Sequence, residues 1–452
     1  MTASSARKGA NAWLSHAALL VAFGALAFYA THIVREDQGR LWSIAAIGFL
    51  LLAGTLASEL VAPLGLPHLT GYLFAGIAAG PHVLGIVDEH TVKSLSPVNT
   101  LALSLIALAG GAELELGAVR KWARSLVVAT TIQTGCVFAV ATVTFLLARP
   151  LIPFARALGP WAAVGIALCW GALAVTRSPS ATLGILSQTR ANGALANFTL
   201  AFVMVSDVVV VVLVATVLGV ARPLIDPSSR FSLDAFVSLA HELFGSVALG
   251  TTLGLVIATY LRLVNKQMLV VLLVLGFGVS TVLDYLRFDA LLAFMVAGFV
   301  VRNLSNQGQK FVHYIEQTGT VVYVVFFAIA GADLDLPLLR ALWPVALVLA
   351  AARASATWVS SRLASSVARD PPTLRNWAWA GLVSQAGLTI GLSLVVAREF
   401  PAIGAEFRSL AIATVAMNEM LGPILFKLAL DRAGETSPNR NSAFPPPLLE
   451  TQ

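Results

Sequence analysis

Gly111-Ala-Glu-Leu-Glu-Leu116, followed by Arg120 and Trp122, returns later in the chain as Gly331-Ala-Asp-Leu-Asp-Leu336, followed by Arg340 and Trp343. Each copy closes one apolar run and opens the next. The preceding runs match as well, Phe74-Ala75-Gly76 against Val296-Ala297-Gly298. Downstream, Met204-Val-Ser-Asp207 corresponds in place and character to Ala416-Met-Asn-Glu419. Counted in apolar runs, matched segments lie seven apart, and an odd separation sends the two copies across a membrane in opposite directions. Inverted repeats of this kind are characteristic of secondary transport, with the site near the midplane where the copies meet.

Working outward, the whole chain reads as an all-α polytopic membrane protein. Of its 452 residues 58% are hydrophobic and 12% charged, with a mean hydropathy of +0.83. Soluble domains carry roughly a quarter charged residues, because their surfaces face water. Lipid removes that requirement, at about 20 apolar residues per crossing. Apolar runs bounded by charges, Pro and Gly predict about fourteen spans: 13–34, 41–62, 68–86, 99–118, 125–148, 160–187, 196–221, 235–262, 267–285, 288–302, 317–335, 337–364, 376–397 and 405–430. With Arg7 and Lys8 placed inside, the loops on that side hold a modest excess of Lys and Arg, which predicts two cytoplasmic termini in a cell (inner) membrane.

Four segments follow. Residues 1–40 form an extra N-terminal transmembrane helix, longer than a signal-peptide core and without a clean cleavage site. Residues 41–430 form the membrane domain, with repeats at about 41–221 and 267–430 and a linker helix at 235–262. Residues 431–452 form a Pro-rich, disordered cytoplasmic tail. The net charge of +6 is scattered among short loops, so it marks orientation and not a nucleic-acid partner. Cys136 and Cys169 sit in apolar runs and read as reduced packing residues. The seven histidines lack metal spacing and no phosphate-binding glycine loop occurs, so no cofactor is expected.

Asp207, in Phe202-Val-Met-Val-Ser-Asp-Val-Val-Val-Val-Val-Leu213, is the sharpest signal of chemistry. A carboxylate at mid-span costs at least about 2.5–3.5 kcal/mol, so it should face a cavity or a partner. Its oxygens can hold a proton or a dehydrated monovalent cation, but not both, which is the minimal chemistry of an exchanger. Ser206, Thr176 and Ser178 are the candidate neutral donors beside it. Arg353 is the buried cation, needing Asp207 or Glu419 as its acidic neighbour. Glu419 reads equally as a second titrating group and as a structural partner of Arg353. Two stretches should break their helices: Thr176-Arg-Ser-Pro179-Ser180, where Pro179 removes a backbone donor, and Gly381-Leu-Val-Ser-Gln385-Ala-Gly387. Unwound backbone at membrane depth must line a cavity or be buried, and half-helix ends there can bind ions. Arg177, beside the first break, either balances carbonyl ends or gates the cavity.

With those residues in hand, the chain resembles the monovalent cation:proton antiporter-2 family of Kef-like and Nap-like transporters. The likeness runs over about 40–430 and is carried by Leu66-Pro-His-Leu-Thr-Gly-Tyr-Leu-Phe-Ala-Gly76 with Gly80-Pro81, Thr176-Arg-Ser-Pro179, Ser206-Asp207, Phe326-Phe327 through Gly331, Ala352-Arg353, and Asn418-Glu419 with Gly422-Pro423. It implies the inverted-repeat sodium/proton antiporter fold with two crossing broken helices, elevator-like alternating access and a homodimer. It also implies that Asp207 is the ion-carrying aspartate, exchanging Na+ (K+ as the close second) for H+. The chain departs from the family's pattern at Ser206, Arg177 and Gln385. A sodium-coupled organic-anion symporter and a channel-like K+ efflux protein are the alternatives. An enzyme would need a nucleophile–base pair or metal cluster within the spans, and none is seen in the sequence.

Overall fold

The computed structural model describes residues 39–114, 116–225, 234–264, 267–286, 288–305, 308–385 and 387–436. Of the expected first segment 1–40, residues 1–38 lie outside the described residues, as does the expected tail 431–452 from 437 onward; residues 431–433 instead continue the last helix, and Glu435 accepts from the Leu195 and Ala196 N–H groups. Every expected span from residue 41 onward contains helix, several of them (68–86, 160–187 and 376–397 above all) only in part. In order these are α1 (Gly39–Val61), α2 (His68–Ala79), α3 (Ser96–Glu113), α4 (Leu116–Ala148), α5 (Pro160–Ala174), α6 (Pro179–Thr189), α7 (Ala194–Ile225) and α8 (Asp234–Leu263). They continue as α9 (Met268–Leu286), α10 (Ala290–Leu304), α11 (Gly308–Ala332), α12 (Leu336–Ala368), α13 (Pro372–Trp377), α14 (Gly387–Glu399) and α15 (Pro401–Ala433). Among the described residues there is no strand.

Among the described residues seven stretches are long and apolar enough to cross a membrane, one of them formed by α5 and α6 together, and three shorter apolar helices lie at 270–283, 290–304 and 321–332. The span expected at 68–86 is cut short at Ala79. Gly80 turns the chain, its N–H bonding the Gly76 carbonyl 2.8 Å away, and Pro81 has no N–H with which to continue. Elsewhere, the medium overrides local preference. The valine-rich run in α7 favours a strand in water, yet in lipid a lone segment can satisfy its backbone only as a helix. Lipid-facing side chains such as Leu147 and Phe244, each 76% exposed, fit that setting.

Two bundles result. One gathers α1–α3 with α8–α11, and the other gathers α4–α7 with α12–α15. In the first bundle the repeated glycines meet each other's partners. A Cβ on Gly111 of α3 would strike the Met295 carbonyl of α10, while one on Gly298 of α10 would strike the Leu108 carbonyl of α3. Gly76 of α2 and Gly331 of α11 stand in the same reciprocal relation, against Ala328 and Leu73. Such backbone-to-backbone approach is how membrane helices gain packing energy when lipid is as apolar as their side chains.

The second bundle is layered along its length. One apolar cluster holds Ile166 to Val175, Val210 to Ala221, Val345 to Ala356 and Phe407 to Ala411. Another takes the opposite halves of those long elements, Ala181 to Ile185, Leu195 to Met204 and Phe426 to Leu430. Between them lies a buried polar layer that includes Thr176, Arg177, Ser178, Ser206, Asp207, Arg353, Ser384, Gln385, Asn418 and Glu419. That layer is where the chemistry sits.

Replacing Gly111 by Val is expected to cost at least about 1–3 kcal/mol through forced separation of α3 and α10. Gly135→Ala on α4, where a Cβ meets nothing within 4 Å, should be neutral or stabilising by about 0.5–1 kcal/mol. Thermal unfolding of the two variants in detergent distinguishes them.

Candidate ion-binding site

The polar layer is built from two interrupted helices. After Ala174 the chain unwinds through residues 175–178 and restarts as α6, with Pro179 as its first residue and the Ser178 hydroxyl accepting from the Ala181 N–H at 3.1 Å. Proline suits that first position, where no helical N–H is needed. The second interruption follows the short 3-10 stretch Ala378–Leu382 and ends where α14 begins at Gly387. Each interruption strands carbonyls that have no N–H four residues ahead. Water is scarce at this depth, so the protein must supply their partners.

Arg353 supplies most of them. Its Nε donates to the Ala174 carbonyl at 2.7 Å, Nη2 to Thr176 O at 2.7 Å, and Nη1 to Val383 O at 2.6 Å, with Leu382 O at 3.4 Å from Nη2. One planar guanidinium thus joins both interruptions. Positive charge at helix C-terminal ends is also favoured by the backbone dipoles. This replaces the expected ion pair of Arg353 with Asp207 or Glu419. The donors are taken by converging carbonyls, and no ion pair links Arg353 to either carboxylate among the described residues.

A second tie runs through side chains. Gln385 Nε2 donates to Thr176 Oγ1 at 2.8 Å and to Leu173 O at 3.1 Å, and its Oε1 accepts from Asn418 Nδ2 at 2.7 Å. The hydroxyls of Thr176 and Thr389 are also hydrogen-bonded. Thr176 therefore serves the joint with both its hydroxyl and its carbonyl. A cavity of about 10 Å³, the room of a single water, opens beside this joint against Trp170, Arg353, Gln385, Thr389 and Thr414. Asp207 does not line it.

Asp207 stands apart. It is 5% exposed on α7, and among the described residues neither carboxylate oxygen has a hydrogen-bond partner. Ser206, its neighbour, directs its hydroxyl to the Val203 carbonyl at 2.8 Å. The charged groups within electrostatic reach of Asp207 are Arg177, from the first interruption, and Asp289, which caps α10 by accepting from the Leu292 N–H at 2.6 Å. Arg177 is 2% exposed, with Nη1 on Val175 O at 2.8 Å and Nη2 on Gln133 Oε1 at 3.1 Å. Glu419, on α15, is 8% exposed and makes no ion pair among the described residues. A buried carboxyl group without a partner is stable only when protonated or when a cation sits against it.

The structure therefore brings Thr176, Arg353 and Gln385 together at the break that Ser178 and Pro179 end, while Ser206, Asp207 and Glu419 share the buried layer with no bond to them among the described residues. Gln133 and Thr389 belong to the same layer, and Asp289 reaches towards it from the start of α10 in the other bundle, yet none of the three was singled out from the sequence, whereas Asn418 was noted there only beside Glu419. Gln133 had a usable signal, since it stands as far past Gly111 as Arg353 stands past Gly331. Asp289 had none, because only folding carries the start of α10 towards α7.

Against known proteins, residues 47–430 match the model of a family described as sodium/hydrogen exchanger, transmembrane. A Na(+)/H(+) antiporter, NhaP, of Pseudomonas aeruginosa is 27% identical over 254 residues, which are 51% of this chain and 58% of that protein. The aligned stretch thus spans little more than half of that relative. The solved structure of the sodium proton antiporter MjNhaP1 from Methanocaldococcus jannaschii at pH 8 superposes with a TM-score of 0.66 at 17% identity, covering 88% of this chain and 100% of that one. An electron-microscopy structure of the same antiporter gives 0.66 at 18% identity, with the same coverage. The relatives are of the NhaP type, so the likeness holds for sodium/hydrogen exchangers broadly and not for the antiporter-2 family in particular.

Arg353→Met should leave several buried carbonyls unpaired, at about 1–3 kcal/mol each. Arg353→Lys should recover only part of the loss, because an ammonium cannot span both interruptions. Melting temperatures in detergent, ordered wild type, Lys, Met, check this.

Proposed function

This chain belongs to the transmembrane sodium/hydrogen exchanger family, and on that premise we propose that it is a secondary antiporter exchanging Na+ for H+ through Asp207. The observation that carries the proposal is a single one. A carboxylate in the buried polar layer has both oxygens free of hydrogen bonds among the described residues, in the bundle whose helix interruptions have their stranded carbonyls bonded to Arg353. Such a group must take up either a proton or a cation, and the two exclude each other. Ser206, Thr176 and Ser178 are the neutral oxygens we assign to the cation's remaining coordination. Their hydroxyls now bond protein oxygens or cap α6, so ion entry trades those bonds for bonds to the ion. K+ remains the second candidate ion, since nothing in a one-carboxylate site of small hydroxyls excludes it.

For the cycle we propose elevator-like movement of the bundle α4–α7 with α12–α15 against the bundle α1–α3 with α8–α11. The gathering of both helix interruptions and of the buried charges Arg177, Asp207, Arg353 and Glu419 into one bundle supports it. The reciprocal glycine pairs support reading 41–221 and 267–430 as inverted repeats about the linker helix 235–262. A homodimer through the glycine-packed bundle, an inner-membrane location and cytoplasmic termini complete the proposal.

In proteoliposomes, Asp207→Asn should abolish cation-dependent dissipation of an imposed pH gradient, a loss of at least a hundredfold, while the protein still folds. Wild-type exchange by this variant removes Asp207 from the role. Running Na+, K+ and Li+ in the same assay orders the ions.

A further inference from the structure

The two halves hold the same pair of side chains in exchanged places. In the second half the long helix α12 carries the arginine, Arg353, and the interruption carries the carboxamide, Gln385. In the first half α4 carries the carboxamide, Gln133, at the position matching Arg353, and the interruption carries the arginine, Arg177, at the position matching Gln385. Each guanidinium bonds the carbonyl at the same step of an interruption, Arg353 to Val383 and Arg177 to Val175, by 2.6 and 2.8 Å contacts.

The exchange places fixed charge differently. Arg353 spends its donors on carbonyls of both interruptions. Arg177 keeps Nε without a partner, and its guanidinium carbon lies 4.7 Å from the ring centroid of Phe202, on the helix that carries Asp207. Asp207 is the carboxylate within its electrostatic reach, and Arg353 is a like charge nearby. A strut at this point would need only hydrogen bonds, which Gln385 supplies at the matching position of the other half. Burying a guanidinium instead is far costlier than burying a carboxamide.

Resting on the reading of Asp207 as the ion site, we propose that Arg177 is a positioning residue that sets cation affinity, a resident positive charge opposing any cation bound at Asp207. The carboxylate attracts the ion and the guanidinium weakens that hold, so that a dehydrated ion can leave again. Transport demands this balance, since a site must bind well enough to load and weakly enough to release. Gln133 takes part as the acceptor that keeps Arg177 in place.

The test compares apparent KM for Na+ and kcat in proteoliposomes at alkaline pH, together with binding of radioactive Na+ to detergent-purified protein. Arg177→Gln should lower KM and the dissociation constant about tenfold, with kcat unchanged or reduced by slower release. Arg177→Lys, which keeps the charge, should stay within about threefold of wild type. Gln133→Glu, isosteric and still able to accept from Arg177, should offset the charge and lower KM in the same direction. Unchanged or raised KM in Arg177→Gln overturns the proposal, and if that variant does not fold, an unchanged KM in Gln133→Glu overturns it instead. A merely structural arginine would lower kcat and yield without tightening Na+. Asp207→Asn in the same binding assay separates the two readings. Retained Na+ binding there defeats the ion-site assignment, whatever Arg177 does.

Discussion

One guanidinium bears on everything in the polar layer. Two helices stop and restart inside the membrane, and the carbonyls they strand would each be costly without a partner. Arg353 reaches Ala174, Thr176 and Val383 at once, so the two interruptions are fixed relative to one another through a rigid plane. Gln385 and Asn418 extend the tie to α15. Because these bonds close the local demand for hydrogen bonding, the interruptions persist without collapsing into continuous helix.

That satisfaction gives the adjoining carboxylate its meaning. If Asp207 were one more member of a closed network, it would be structural. Instead both its oxygens are unpartnered among the described residues, beside interruptions whose stranded carbonyls are held by Arg353 and Gln385. A buried carboxylate with both oxygens unpartnered is where a mobile ligand, proton or cation, has something to offer. The neighbouring charges, Arg177 and Asp289, have opposite signs and come from different bundles, so relative movement of the bundles would alter the potential at Asp207.

The other bundle has a different physical task. It has few buried polar groups and packs by close backbone approach, with Gly76 against α11 and Gly111 against α10. Two glycine pairs at matched positions give it a stiff, symmetric seam. A frame of this sort can stand still while polar elements rearrange beside it.

Much of this was legible in the amino-acid order. The length and apolarity of the runs determined a helical membrane protein, since lipid leaves a lone segment no other way to satisfy its backbone. Pro179 and the glycines around Gln385 marked the interruptions, and an acid within a valine run marked Asp207. The repeat supplied the pairing of α3 with α11 and of α4 with α12. What tertiary structure alone decided was the partner of each buried charge. Arg353 was expected to meet a carboxylate and instead meets carbonyls, because backbone dipoles exposed by unwinding have no letter in a sequence. The approach of Asp289 to Asp207, and of Arg177 to Phe202, likewise depends on which helix faces turn together. Periodicity sets how a helix divides between apolar and polar faces, while only packing chooses the face across the gap.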